Sequence, residues 1–111
     1  MHTKYSNWNV GGDIAKQDER YIVKDNTILK NLVVSSTELN PLFSTTGHSH
    51  PGQEEVYLFL DGDGVMQLDD TKFDVKKGDT VLIKDGVFHR VFAGEKGCRF
   101  TCVFDGARQH K

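Results

Sequence analysis

The chain has 111 residues, 37% of them hydrophobic and 27% charged, and carries a net charge of −2 with both signs interspersed. Such a length and balance suit one globular domain. Without a basic stripe they exclude a nucleic-acid surface built on charge, and no apolar run approaches the roughly 18 residues a membrane helix needs. The first residues lack the charged-then-apolar pattern of a signal peptide, so a cytoplasmic location is expected.

Residues 1–19 are polar and contain Gly11-Gly12, which predicts an N-terminal arm or edge strand anchored by Trp8; residues 20–111 then form a single domain. Within it, short apolar runs predict strands over 21–24, 27–37, 54–60, 64–68, 73–75, 80–84, 87–92 and 99–104. Turn chemistry separates them, as at Asn40-Pro41, Pro51-Gly52, Asp61-Gly62-Asp63-Gly64, Asp85-Gly86 and Gly94-Glu95-Lys96-Gly97. Many short strands with glycine-rich turns predict an all-β sandwich or barrel. In Val56-Tyr57-Leu58-Phe59-Leu60 every residue is apolar, so this strand packs on both faces. Alternation turns Phe88, Arg90 and Phe92 away from His89. Phe88 and Phe92, with Val56, Leu58 and Leu60, are read as a second core layer or a homodimer contact.

Cys98 and Cys102 lie in one predicted strand, where four residues span about 13 Å, beyond the roughly 7 Å reach of a disulfide. Both are read as reduced core thiols on one face.

The informative stretch is Gly47-His48-Ser49-His50-Pro51-Gly52-Gln53-Glu54-Glu55. Histidines two apart on a strand face the same way, about 6.6 Å apart, so both imidazoles can reach one ion. Pro51-Gly52 breaks the strand and resets the alternation, which lets a carboxylate a few residues later return to that ion. Periodicity alone does not choose between Glu54 and Glu55. A second segment runs from Gly78 through an apolar strand and Asp85-Gly86 to His89. His2 and His110 sit near the chain ends and are read as solvated.

These two segments resemble the paired signature motifs of the cupin superfamily, over about residues 30 to 104. The resemblance implies a double-stranded β-helix (jelly-roll) barrel. It also implies one divalent metal ion (iron, manganese, nickel, cobalt or zinc) held by His48, His50, Glu55 and His89. Gly62 follows Glu55 by the family's spacing, and this selects Glu55 over Glu54. The second motif departs from the pattern at Lys84, where proline is usual, and at Ala93, where asparagine is common; neither position binds metal in the family.

A closer likeness joins Thr45-Thr46-Gly47-His48-Ser49-His50, Glu55-Val56-Tyr57 and Gly62-Asp63-Gly64 to the cupin-type glucose-6-phosphate isomerases. It implies a sugar or sugar phosphate as small-molecule substrate, with Thr45 and Gly47 holding it. Glu55 would act as ligand and base, with Tyr57 beside it, and an aldose would pass to its ketose through an enediol. Two residues fewer separate His50 from Glu55 than in those isomerases. Two other functions stay open on the same ligand set: a mononuclear iron dioxygenase, and a non-catalytic barrel that binds a small metabolite.

Overall fold

The computed structural model describes residues 4–106; His2 and His110 lie outside that range. Every regular element within it is a strand: β1 (Asp13–Gln17), β2 (Tyr21–Asn26), β3 (Leu32–Leu39), β4 (Glu55–Leu68), β5 (Thr71–Lys76), β6 (Thr80–Ile83) and β7 (His89–Asp105). All pairings are antiparallel, in the order β1-β2-β3-β7-β4-β5, with β6 on the free side of β4. No helix among the described residues is long and apolar enough to cross a membrane.

Two pairs of expected strands are fused. Asp61-Gly62-Asp63-Gly64 is not a turn but a pair of register shifts inside β4, and Gly94-Glu95-Lys96-Gly97 is carried inside β7. The ladder to the neighbouring strand resumes beyond each irregularity, so the chain bends instead of reversing. The bend makes β4 and β7 members of two layers. Residues 55–59 pair with 100–104, while residues 64–68 pair with 89–93 and with β5. The irregular segment 43–48 borders the second layer through isolated bridges from Ser44 to Phe92 and from His48 to His89. The result is the all-β jelly roll that the sequence leads one to expect.

The strand expected from residue 27 begins only at Leu32. The Asn26 side chain turns the chain first: its oxygen accepts from the Ile28 amide at 3.0 Å, and its amide donates to the Val10 carbonyl at 2.6 Å. That second bond ties the N-terminal arm down. The arm runs over the outside of the first layer, where Thr101 donates to the Asn7 carbonyl and the Arg99 guanidinium sits 4.6 Å over the Trp8 ring. Trp8 is therefore held from one side while remaining 52% exposed.

Alternation sends Tyr57 and Phe59 of β4, and Cys98, Phe100, Cys102 and Phe104 of β7, into the interior. Phe100 stacks on Tyr57 at 5.0 Å and lies 5.4 Å from Phe59, so these rings fill the barrel under the first layer. Truncating such a buried phenylalanine costs about 3–5 kcal/mol. The outward residues do not form the single face expected of them. Val56 and Leu58 face out from the first layer. Phe92 faces out from the second, between Lys72 and Arg90.

Cys98 and Cys102 are both free and buried. Burial pushes the Cys98 thiol up to about 12, with the nearby charges of Asp63 and Asp61 adding to the shift. Neither thiol is expected to react with an aromatic disulfide reagent in the native chain near pH 8, and both should react in denaturant. Rapid titration of either thiol in the folded protein would show that this layer opens.

Candidate metal centre

Two stretches 41 positions apart in sequence meet through their backbones. His48 and His89 are paired in an antiparallel bridge: the His48 amide donates to the His89 carbonyl at 3.3 Å, and the His89 amide donates back at 3.0 Å. Opposed residues on antiparallel chains point to the same side, so both imidazoles enter the barrel. His50 follows on the same face. The ligand-capable atoms of His48, His50 and His89 all lie within 4.8 Å of one another.

Glu55 is brought to them by a tight turn. The Gln53 amide donates to the His50 carbonyl at 3.1 Å, with Pro51 and Gly52 between them. Gly52 has φ of +83°, the left-handed value that the third position of a type II turn requires. Asp85 clamps this turn by accepting from the Gly52 amide at 2.7 Å, which links it to the Asp85-Gly86 turn preceding His89. Glu55 then opens β4 with its side chain inward, one carboxylate oxygen 3.5 Å from His50 Nε2 and the other 3.6 Å from His89 Nε2. Glu54, its exposed neighbour, points to the other side.

The protonation state of His89 follows from its neighbours. Its Nδ1 lies 3.0 Å from the Val87 carbonyl, which can only accept, so Nδ1 carries the proton. Burial holds the imidazole below its ordinary value of 6.5, partly opposed by that same hydrogen bond, so the ring is neutral near pH 7. Nε2 then presents a lone pair to the interior and has no hydrogen-bond partner. Glu55 lies 3.6 Å from this nitrogen, so a cation between the two groups would be held by both. The three imidazoles are spaced so that they could hold one metal ion, and the Glu55 carboxylate lies beside two of them. The Val87 carbonyl orients one of the imidazoles, as outer-shell partners of metal-binding histidines do.

A cavity of about 40 Å³ opens beside the cluster. His48, Glu55, Tyr57, Thr45 and Thr46 line it, whereas His50 and His89 do not. Tyr57 meets His89 edge to face at 5.8 Å. Thr45 also serves the backbone: its hydroxyl accepts from the Val91 amide at 3.0 Å. Gly47 lies outside the cavity lining. A Cβ there would come within 2.2 Å of the Phe88 ring, so packing against Phe88 accounts for this glycine. Arg90 turns outward, donating to the Thr45 carbonyl and the Ser44 hydroxyl. Sequence reasoning passed over two contributors. Asp85 gave no signal beyond its turn propensity, and Lys16, another residue of the cavity wall, comes from a strand that reads as a peripheral arm.

Comparison with known proteins gives the family. The family model described as a cupin domain matches residues 36–104. A Methanocaldococcus jannaschii protein described as uncharacterized is 37% identical over 82 residues, which are 64% of this chain and 66% of that one. The dimethylsulfoniopropionate lyase DddW of Ruegeria pomeroyi is 28% identical over 78 residues, 70% of this chain and 51% of the lyase. The chain thus spans about two thirds and about half of these relatives' lengths. Among solved structures, KdgF from Halomonas sp. superposes with a TM-score of 0.77 at 16% identity, covering 87% of this chain and 88% of KdgF. At that identity the likeness is one of fold.

His48→Ala and His89→Ala should each leave a folded barrel that no longer retains stoichiometric metal through gel filtration. Losing even an outer partner of a ligand costs about 10–100-fold in metal affinity, and losing a ligand should exceed that. Elemental analysis of wild type and variants checks it; equal metal content in all three would remove these histidines from the site.

Proposed function

This chain belongs to the cupin family, and on that premise we propose that it is a metal-dependent enzyme that moves a proton between adjacent carbons of a small hydroxy-carbonyl compound. An isomerisation of a sugar or sugar phosphate is the reaction of this type that we favour. The observation that carries the reading is the Glu55 carboxylate, buried between two imidazole nitrogens yet lining the open cavity. A group so placed can hold an ion with one oxygen and reach a ligand with the other.

His48, His50, His89 and Glu55 would hold the ion. A bound divalent ion supplies positive charge that steadies negative charge growing on a carbonyl oxygen during proton transfer. Glu55 takes the proton from the hydroxyl-bearing carbon beside the carbonyl and returns it to the former carbonyl carbon. The hydroxyl proton passes from one oxygen to the other, so one C–H and one O–H bond break and one of each forms. Tyr57 forms the adjacent wall and bears on the reacting end of the ligand. Thr45 contributes to the cavity wall, and we assign Gly47 to packing instead of substrate contact. Proton removal beside a carbonyl can open elimination as well as isomerisation, and a relative named as a lyase is compatible with this reading.

The test is a screen of the metal-loaded chain against aldose and ketose phosphates and free sugars, with and without air. Interconversion without oxygen, with solvent deuterium entering at the exchanging carbon, is expected. Glu55→Gln should lower turnover by about 10²–10⁴-fold, the usual worth of a positioned base. Oxygen consumption with a strict need for ferrous iron would replace this reading with a dioxygenase, and binding without turnover would replace it with a binding barrel.

The homodimer belongs to the same proposal. Val34, Val103, Val56 and Leu82 are neighbours in register across β3, β7, β4 and β6, and Leu82 is 69% exposed. A second copy packed on this aliphatic row would cover it. Light scattering should give twice the chain mass, and Leu82→Lys should give the monomer; a wild-type monomer at high concentration would refute the contact.

A further inference from the structure

β1 departs from regular alternation at one point. Ile14 is paired with Lys24, but Lys16 is paired with Val23, so Ala15 is an extra residue in the ladder. In a regular strand Lys16 would fall opposite Ile22 and face outward. The bulge moves it opposite Val23, whose side chain is buried in the core. Lys16 is the one residue of β1 that is not exposed, and it lines the cavity shared by His48, Glu55, Thr45 and Thr46. Bulges commonly re-aim a side chain beside a site, and a lysine stem can cross apolar surface to place its ammonium at a polar mouth.

A second cation, Arg20, lies near this cavity through Thr46. Arg20 forms a fork on the Asp18 carboxylate, donating from Nε at 3.2 and 3.1 Å and from Nη2 at 2.8 Å, and it gives Nη1 to the Thr46 hydroxyl at 2.9 Å. That pairing holds Asp18 below its usual carboxylate value, so the pair is neutral overall. Lys16, unlike Arg20, is a residue of the cavity wall itself, and Thr45, Thr46 and Glu55 are in the same wall.

We propose that Lys16 is a specificity-determining residue that binds an anionic group of the ligand, so that the small molecule taken by this cavity is a carboxylate or a phosphate ester and not a neutral compound. The proposal rests on the reading of the neighbouring residues as a ligand-binding metal site, and it narrows the ligand of that site to an anion. The cavity of about 40 Å³ is open to solvent, so it encloses only one end of a ligand. One end of a short ligand would lie against Glu55 and His48 while its anionic group lies near β1. A lysine ammonium recognises either kind of oxyanion as a point charge. The same inward lysine on an edge strand could instead serve only to discourage pairing with other chains, and the experiment separates the two roles.

The metal-loaded full chain is titrated calorimetrically with malate, with glycerol 3-phosphate and with the neutral diamide of malate, and metal content is measured on the same samples. Wild type should bind at least one of the two anions at least about tenfold more tightly than the diamide, the scale of one charge-assisted hydrogen bond. Lys16→Met should lose that preference with its metal content unchanged, and Lys16→Arg should keep it. The anion preferred by wild type identifies the source as carboxylate or phosphate. Equal affinity of wild type and Lys16→Met for the anions, no preference over the diamide, or no binding of any probe would each overturn the proposal. A change confined to aggregation of Lys16→Met would do the same in favour of the edge-protecting role. If wild type takes up no metal, the metal reading fails separately, and the same titration on the metal-free chain still decides for or against Lys16.

Discussion

The constraint on which the site depends is the pair of backbone hydrogen bonds between His48 and His89. Histidines 41 positions apart have no local reason to share a space. Once they oppose each other on antiparallel backbone, their side chains must point to the same side, and the interior is on that side. The bridge lies at the margin of the second layer. It therefore relies on the bend in β7 that lets residues 89–93 join one layer while residues 98–104 join the other. A change that straightened β7 would harm the cluster without touching a histidine.

The carboxylate is delivered by a separate device. From His50 to Glu55 an unbroken strand would place the two on opposite faces, because five is an odd interval. The turn at Pro51-Gly52 removes that problem, and Asp85 fixes the turn to the segment that carries His89. Both approaches to the cluster are thereby coupled. The Val87 carbonyl completes the arrangement by deciding which nitrogen of His89 faces inward. His89 Nε2 is buried without a hydrogen-bond partner beside two further imidazoles, and this is the physical reason to read the cluster as a candidate cation site.

The cavity wall combines contributions of unequal origin. Thr45, His48, Glu55 and Tyr57 come from the motif-bearing half of the chain, whereas Lys16 arrives from the N-terminal edge strand through a single extra residue. The arm is fastened at several points, through Asn26 to Val10, Thr101 to Asn7, and Arg99 to Trp8. A fastened edge strand can hold a bulge in register, which a loose arm could not do.

Much was legible in the sequence for identifiable reasons. The two-residue spacing of His48 and His50, the break at Pro51-Gly52 and the glycine-flanked strand before His89 are local patterns, and short apolar runs with glycine turns are enough to indicate an all-β barrel. The likeness of those motifs to a family selected Glu55 where strand periodicity left Glu54 equally open. What the tertiary structure alone decided concerns long-range register. Asp61–Gly64 and Gly94–Gly97 have the composition of turns, and only pairing with a neighbouring strand carries the ladder through them. Phe88 clarifies Gly47 by contact across the chain. Period two only places Lys16 on the face of Ile14 without saying which face is inward, and its entry into the cavity follows from which residue of β2 it faces. Composition and spacing act along the chain, whereas register is a relation between chain segments, so it becomes visible only when both are in place.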